Sequence, residues 1–132
     1  MIGGMHMTSR FNQRVKIVEL LYTADICDTA IETDNTTAFV HQTLMGIEEN
    51  IEAIDALITN HLERWSLRRL SYVDRAIMRL CVYEMQFTET PAEIAIDEAL
   101  NLTKLLTDEG DRKAVAFNNS VLDKIRKSIA KE

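Results

Sequence analysis

Leu70-Ser71-Tyr72-Val73-Asp74-Arg75-Ala76-Ile77-Met78-Arg79-Leu80 decides the fold. Ser71 offers an oxygen to cap a helix, and Asp74 stands at the third helical position, a capping box with Asp for the usual Glu. The helix it opens, Tyr72 to about Phe87, carries Val73, Ile77, Leu80 and Cys81 along one side. Glu84 falls on that side too, and pairing with Arg79 or Arg75 is a better reading of it than catalysis. Upstream, Ser66 to Leu70 reads as a short turn or helical segment after Trp65.

Working outward, Thr90-Pro91-Ala92-Glu93 predicts another start: Thr caps, Pro suits the first helical position and Glu reaches back to the cap. That helix ends by Thr107, with Asp108-Glu109-Gly110 as the break. A last helix runs from about Asp111 to Ala130, with Phe117, Val121, Leu122, Ile125 and Ile129 inward and Arg112, Lys113, Lys127 and Lys131 opposite. Toward the N-terminus, Ser9 caps a helix reaching about Cys27, whose stripe is Phe11, Val15, Val18 and Tyr22, widened by Ile17 and Leu21. Asp34 or Asn35 caps the next. From Thr37 to about Leu62, Val40, Leu44, Ile47, Ile51, Ile54, Ile58 and Leu62 keep spacings of three and four, so this is one helix, or two bent near Gly46. Gly46 marks either the bend or a close approach. The fold class is all-α, a compact bundle of about six or seven helices in two small groups sharing one core.

Composition bounds the function. The 132 residues suit one domain, and 46% hydrophobic with 27% charged residues is ordinary for a globular protein. No apolar run is long enough for a membrane span, and the first residues lack signal-peptide features, so the expectation is a cytoplasmic protein. Cys27 and Cys81 form no Cys-x-x-Cys pair and read as two reduced, mostly buried thiols rather than a disulfide or zinc site. His6, His41 and His61 lie in separate segments, and adjacent acids such as Asp97-Glu98 diverge on a helix. No catalytic residues, metal site or cofactor are expected.

The net charge of −6 hides a segregation. Between Ile17 and Glu63 there are ten acids and no Lys or Arg, while the rest of the chain, holding all 15 basic residues, carries +4. Such a chain can present a positive strip. Binding unpaired RNA needs cations for phosphates and aromatic or polar groups for bases. Arg10, Gln13 and Arg14, with Lys16 nearby, form one candidate face. Arg112 and Lys113, at a helix start whose N–H groups favour an anion, form another, with Phe117 as a stacking or core aromatic.

The order Trp65, Leu70 to Leu80, Tyr83-Glu84, Pro91, Ile94-Ala95-Ile96-Asp97-Glu98-Ala99, Lys104 and Phe117-Asn118-Asn119-Ser120-Val121-Leu122-Asp123 resembles the transcription antitermination factor NusB family. The resemblance extends more weakly to Arg10, Arg14 and Leu20-Leu21-Tyr22. It implies that residues 1–132 are a single NusB-like helical RNA-binding domain, with 1–8 as a disordered arm. It also implies binding to single-stranded boxA RNA of nascent ribosomal RNA transcripts, jointly with the ribosomal protein that acts as NusE, within an RNA polymerase antitermination complex. By resemblance Arg10 and Arg14 fall on the basic motif, Phe117 and Asn119 on a Phe-x-Asn-Gly motif at the RNA side, and His61 on an often aromatic position. Tyr22 and Asp74 fall where the family meets its protein partner. Asn118 and Ser120 depart from the motif, and Phe11, Asn12 and Gln13 thin the basic run. Two alternatives stay open: a helical protein-interaction module without RNA, and an accessory domain like the N-terminal part of ribosomal RNA cytosine methyltransferases. Monomer and homodimer are both open as well. The RNA reading expects the two basic ends to converge into one strip.

Overall fold

The computed structural model describes residues 9–64 and 66–130. The disordered arm expected at 1–8, the motif residue Trp65 and Lys131 lie outside them. Six α-helices follow in order, α1 Arg10–Cys27, α2 Ala38–Glu49, α3 Ile51–Asn60, α4 Tyr72–Phe87, α5 Ala92–Leu106 and α6 Lys113–Ala130, with a 3-10 turn at Leu67–Arg69 before α4.

α4 is the axis of the bundle. Arg75 to Met78, Leu80 to Val82 and Glu84 are all buried, so it is enclosed nearly all round rather than on one stripe. α1, α2, α3, α5 and α6 each pack on it. The two helical groups therefore share one core, in which Ile17, Leu44, Ile54, Ile77, Leu102 and Leu122 belong to a single buried cluster.

The start of α4 forms as its residues dictate: the Ser71 hydroxyl accepts from the Asp74 N–H at 3.0 Å and donates to its carboxylate at 2.9 Å. α1 likewise begins on Ser9, which accepts from the Asn12 N–H. Three expectations of start and bend are corrected. α2 is capped by Thr37, not Asp34 or Asn35, because Asn35 is spent in a turn with φ 60. Thr90 does not cap α5: its N–H donates to Thr88 Oγ1, and the helix ladder begins from the Pro91 carbonyl. The long apolar run breaks at Asn50, whose side chain donates to the Gly46 carbonyl at 2.8 Å. Gly46 is the close approach: a Cβ there would overlap the Tyr83 ring.

The buried side of α1 is also turned from the expected stripe. Arg14, Ile17, Val18, Leu21 and Ala24 are buried, whereas Phe11, Val15 and Tyr22 are half-buried at its margin. Cys81 is buried as expected, and burial pushes its thiol pKa up, away from reactivity. Cys27 is exposed, because it is the last residue of α1.

Candidate nucleic-acid interface

Ion pairs orient the helices around α4 and decide which cations remain for a ligand. Arg14 lies at 2.8 Å from Glu84 and 3.4 Å from Glu98, tying the start of α1 to the far half of α4 and the near half of α5. Arg75 pairs with Asp25 at 2.9 Å, and Arg79 holds Asp55 through two bonds of 2.8 and 2.9 Å. α1 therefore runs antiparallel to α4. The arginines expected for Glu84 are taken by the acidic segment instead, and Glu84 is met by Arg14. Lys124, Arg126 and Lys127 are paired as well, with Glu63 and Asp123. Much of the segregated charge thus serves packing between the two halves.

Arg14 is accordingly corrected as an RNA contact. It is 7% exposed, with its guanidinium turned into the core. Burial would lower its pKa, but the hydrogen bonds and charge of Glu84 outweigh that and hold it above its ordinary value. No phosphate can reach such a group without breaking the pair, which would leave the Glu84 carboxylate buried and alone.

The neighbouring face keeps its cations. Arg10 is exposed, and its guanidinium carbon lies 4.0 Å from the centroid of the Phe39 ring. Lys16 is exposed, and Gln13 is half-buried beside α2, its side-chain carbonyl accepting from the Thr37 hydroxyl at 2.7 Å. Phe39 is a functional candidate that the sequence reading missed. Its signal was an aromatic one residue out of phase with the apolar spacing of α2, Val40 to Ile47.

The second basic group is elsewhere. Asn118 of α6 donates to Asp74 at 3.1 Å and to Thr103 at 3.0 Å, so the front of α6 sits at the beginning of α4 and the end of α5. Arg14 meets α4 at Glu84, ten residues later, about 15 Å along the axis at 1.5 Å per residue. The expected convergence of the two ends into one strip is overturned. Antiparallel packing separates them by much of the length of α4.

Arg112 and Lys113 are exposed, but their backbone N–H groups donate to Asp108 and Asp111, each at 3.1 Å. Those carboxylates occupy the place at the helix start that an incoming anion was expected to take. Phe117 is half-buried and packs on the core, while Asn119 is exposed. His61 ends α3 with its Nδ1 2.7 Å from the Leu57 carbonyl, a bond that a protonated Nδ1 supplies. Arg64 and Arg68, exposed in the connector between α3 and α4, are further cations that sequence reasoning passed over.

Of the two partner-contact candidates, Asp74 faces inward along the bundle, accepting from Thr107 as well as Asn118 and Ser71. Tyr22 packs at the margin of the core on α1. The structure does not join them through a contact among the described residues. The Asn118 carbonyl oxygen is buried without a partner there.

Among the described residues no group of three or more His, Cys, Asp or Glu is placed to hold a metal, and no helix is long and apolar enough to cross a membrane. The site is a binding surface built on one bundle. The NusB family profile matches residues 7–127. The chain belongs to the NusB family. It is 37% identical over 136 residues to the transcription antitermination protein NusB of Clostridium perfringens strain SM101, covering 92% of this chain and 98% of that relative. With the NusB of Bacillus subtilis strain 168 it shares 35% identity over 129 residues, 91% of this chain and 96% of the relative. Its fold is similar to T. maritima NusB, with a TM-score of 0.80, 33% identity and coverage of 93% and 94%. It is also similar to a chain in a crystal structure of the antitermination factors NusB and NusE with dsRNA, at a TM-score of 0.75, 26% identity and coverage of 92% and 99%. The all-α expectation and the family resemblance are both borne out.

Proposed function

We propose that this chain acts as a transcription antitermination factor of the NusB family, binding boxA-type RNA jointly with the ribosomal protein that acts as NusE. The observation that carries the reading is the exposed start of α1, where Arg10 stands over the Phe39 ring and Lys16 is exposed further along the helix, on a fold similar to one crystallised with NusE and dsRNA. The chain works as one domain in the cytoplasm, inside an RNA polymerase antitermination complex. Arg10, Gln13 and Lys16 form the RNA contact, with His61 and Asn119 outside this first patch. Tyr22 is the protein-contact candidate with an accessible edge, while Asp74 contributes by holding α4, α5 and α6 together.

Two cations give little affinity by themselves. At about 0.7 per neutralised phosphate of a single strand, they account for a slope near −1.4 in log affinity against log salt. An acidic protein with so thin a contact binds RNA well when its partner supplies further basic surface, a coupling of the two binding equilibria. Titration of labelled boxA-type RNA with and without the NusE-type partner tests this. Binding that tightens with the partner and falls with a scrambled RNA is expected, and equal affinity in all arms would overturn it.

A further inference from the structure

Beside Arg10 lies a groove of about 220 Å³ between α1 and the turn that precedes α2. Asn12, Gln13 and Lys16 form one wall, and Asn35, Thr36 and Thr37 form the other. We infer that this groove receives one unstacked nucleobase of the bound RNA strand and is a sequence-reading subsite. The inference rests on the RNA-binding reading and adds to it where a base is read.

Size is the first argument. The groove is smaller than the roughly 300 Å³ at which clefts for drug-sized ligands begin, so it suits a single planar group. Rigidity is the second. The Thr37 hydroxyl accepts from the Val40 N–H at 3.3 Å while donating to Gln13 at 2.7 Å, and Thr36 donates to the Thr33 carbonyl at 2.7 Å. Asn35 holds the left-handed φ of 60 that turns the segment across the groove. The opening is therefore set before a ligand arrives, which reduces the ordering cost of binding.

Chemistry is the third argument. Asn12 and Asn35 are exposed on opposite walls, and their side-chain amides have no partner among the described residues. An amide offers both a donor and an acceptor, the pair needed for the edge of an unpaired base. Nearby on α1, the Arg10 guanidinium carbon lies 4.0 Å from the centroid of the Phe39 ring, and an arginine held there can stack on an unpaired base. Lys16 on the groove wall supplies the charge for the adjoining phosphate. A guanidinium, a lysine and two amides around a groove of about 220 Å³ match a single-stranded RNA subsite.

Anisotropy titrations with a short boxA-type RNA, intact or with one abasic position at a time, test this in the presence of the NusE-type partner. For the unaltered chain, one abasic position should weaken binding about five- to a hundredfold, the range for loss of a stacked base. In an Asn12→Ala/Asn35→Gly variant, intact RNA should bind more weakly, and the penalty at that abasic position should shrink to the part that stacking on Arg10 supplies. The salt slope should stay the same, since no charge is removed. Gly accepts the φ of Asn35, and Asn12→Ala alone, on an exposed helix face, repeats the test without touching the turn. Abasic penalties that persist undiminished in both variants would overturn the subsite while leaving RNA binding intact. Failure of the unaltered chain to bind any RNA would overturn the parent reading and this one together.

Discussion

Arg10 and Arg14 are one helical turn apart and have opposite fates, so they separate structure from function residue by residue. Arg14→Ala should cost about 3–5 kcal/mol in urea unfolding, because it leaves the Glu84 carboxyl group buried without its partner. Arg10→Ala should leave the unfolding midpoint nearly in place and weaken RNA binding. Equal unfolding midpoints for the two variants would show that water replaces Arg14 at Glu84. Gly46 gives a second test. Gly46→Ala drives a methyl into the Tyr83 ring and should cost about 1–3 kcal/mol as overpacking, most of it recovered when Tyr83 is also replaced by Leu. Additive losses in the double variant would show that the backbone, not the ring, absorbs the methyl. The sequence named both arginines as cations on one face, and spacing supports that for Arg10 and Gln13. It could not show that Arg14 turns inward, since the acid that draws it in lies 70 residues away.

Helix starts were legible where a cap acts on its own next turn. Ser9 and Ser71 cap as read, because Ncap chemistry is completed within three residues. Thr90-Pro91-Ala92-Glu93 had an equally good local signature, yet Thr88 takes the Thr90 N–H as α4 ends and the turn to α5 tightens. The contrast is measurable by thermal unfolding: Ser71→Ala should cost about 1 kcal/mol, and Thr90→Ala should stay within about 0.5 kcal/mol. A Thr90→Ala loss as large as that of Ser71→Ala would restore the capping box. The break at Asn50 was hidden for a related reason. Apolar spacing continues across it from Ile47 to Ile54, so periodicity alone cannot distinguish one helix from two that share a buried face. Arg112 adds a strained element boundary, with φ 63 just before α6. Gly there would relieve the conformation, so Arg112→Gly tests charge and strain together and is a poor choice for charge alone.

For the whole molecule, the position of the cations follows from how helices run past α4. With Arg10 and Lys16 at one end and Arg112 and Lys113 at the other, their effects on RNA binding should be independent. The Arg10→Ala/Lys16→Ala variant should flatten the salt slope by about 1.4 units, and Arg112→Ala/Lys113→Ala should leave it nearly unchanged, with no extra coupling when all four are combined. Strong non-additivity would mean that one strand engages both ends. The sequence by itself determined that the chain is helical, where most helices lie, that the apolar residues suffice for one core, and which family its motif order resembles. Those are properties of neighbours three and four residues apart. Only the tertiary structure decided which charges are consumed in packing, that the basic ends stand apart, and that Asn12 and Asn35 line one groove. Such facts depend on residues distant in the chain meeting across helices, and a helix exposes or buries a charge according to what packs against it, which its own spacing does not encode.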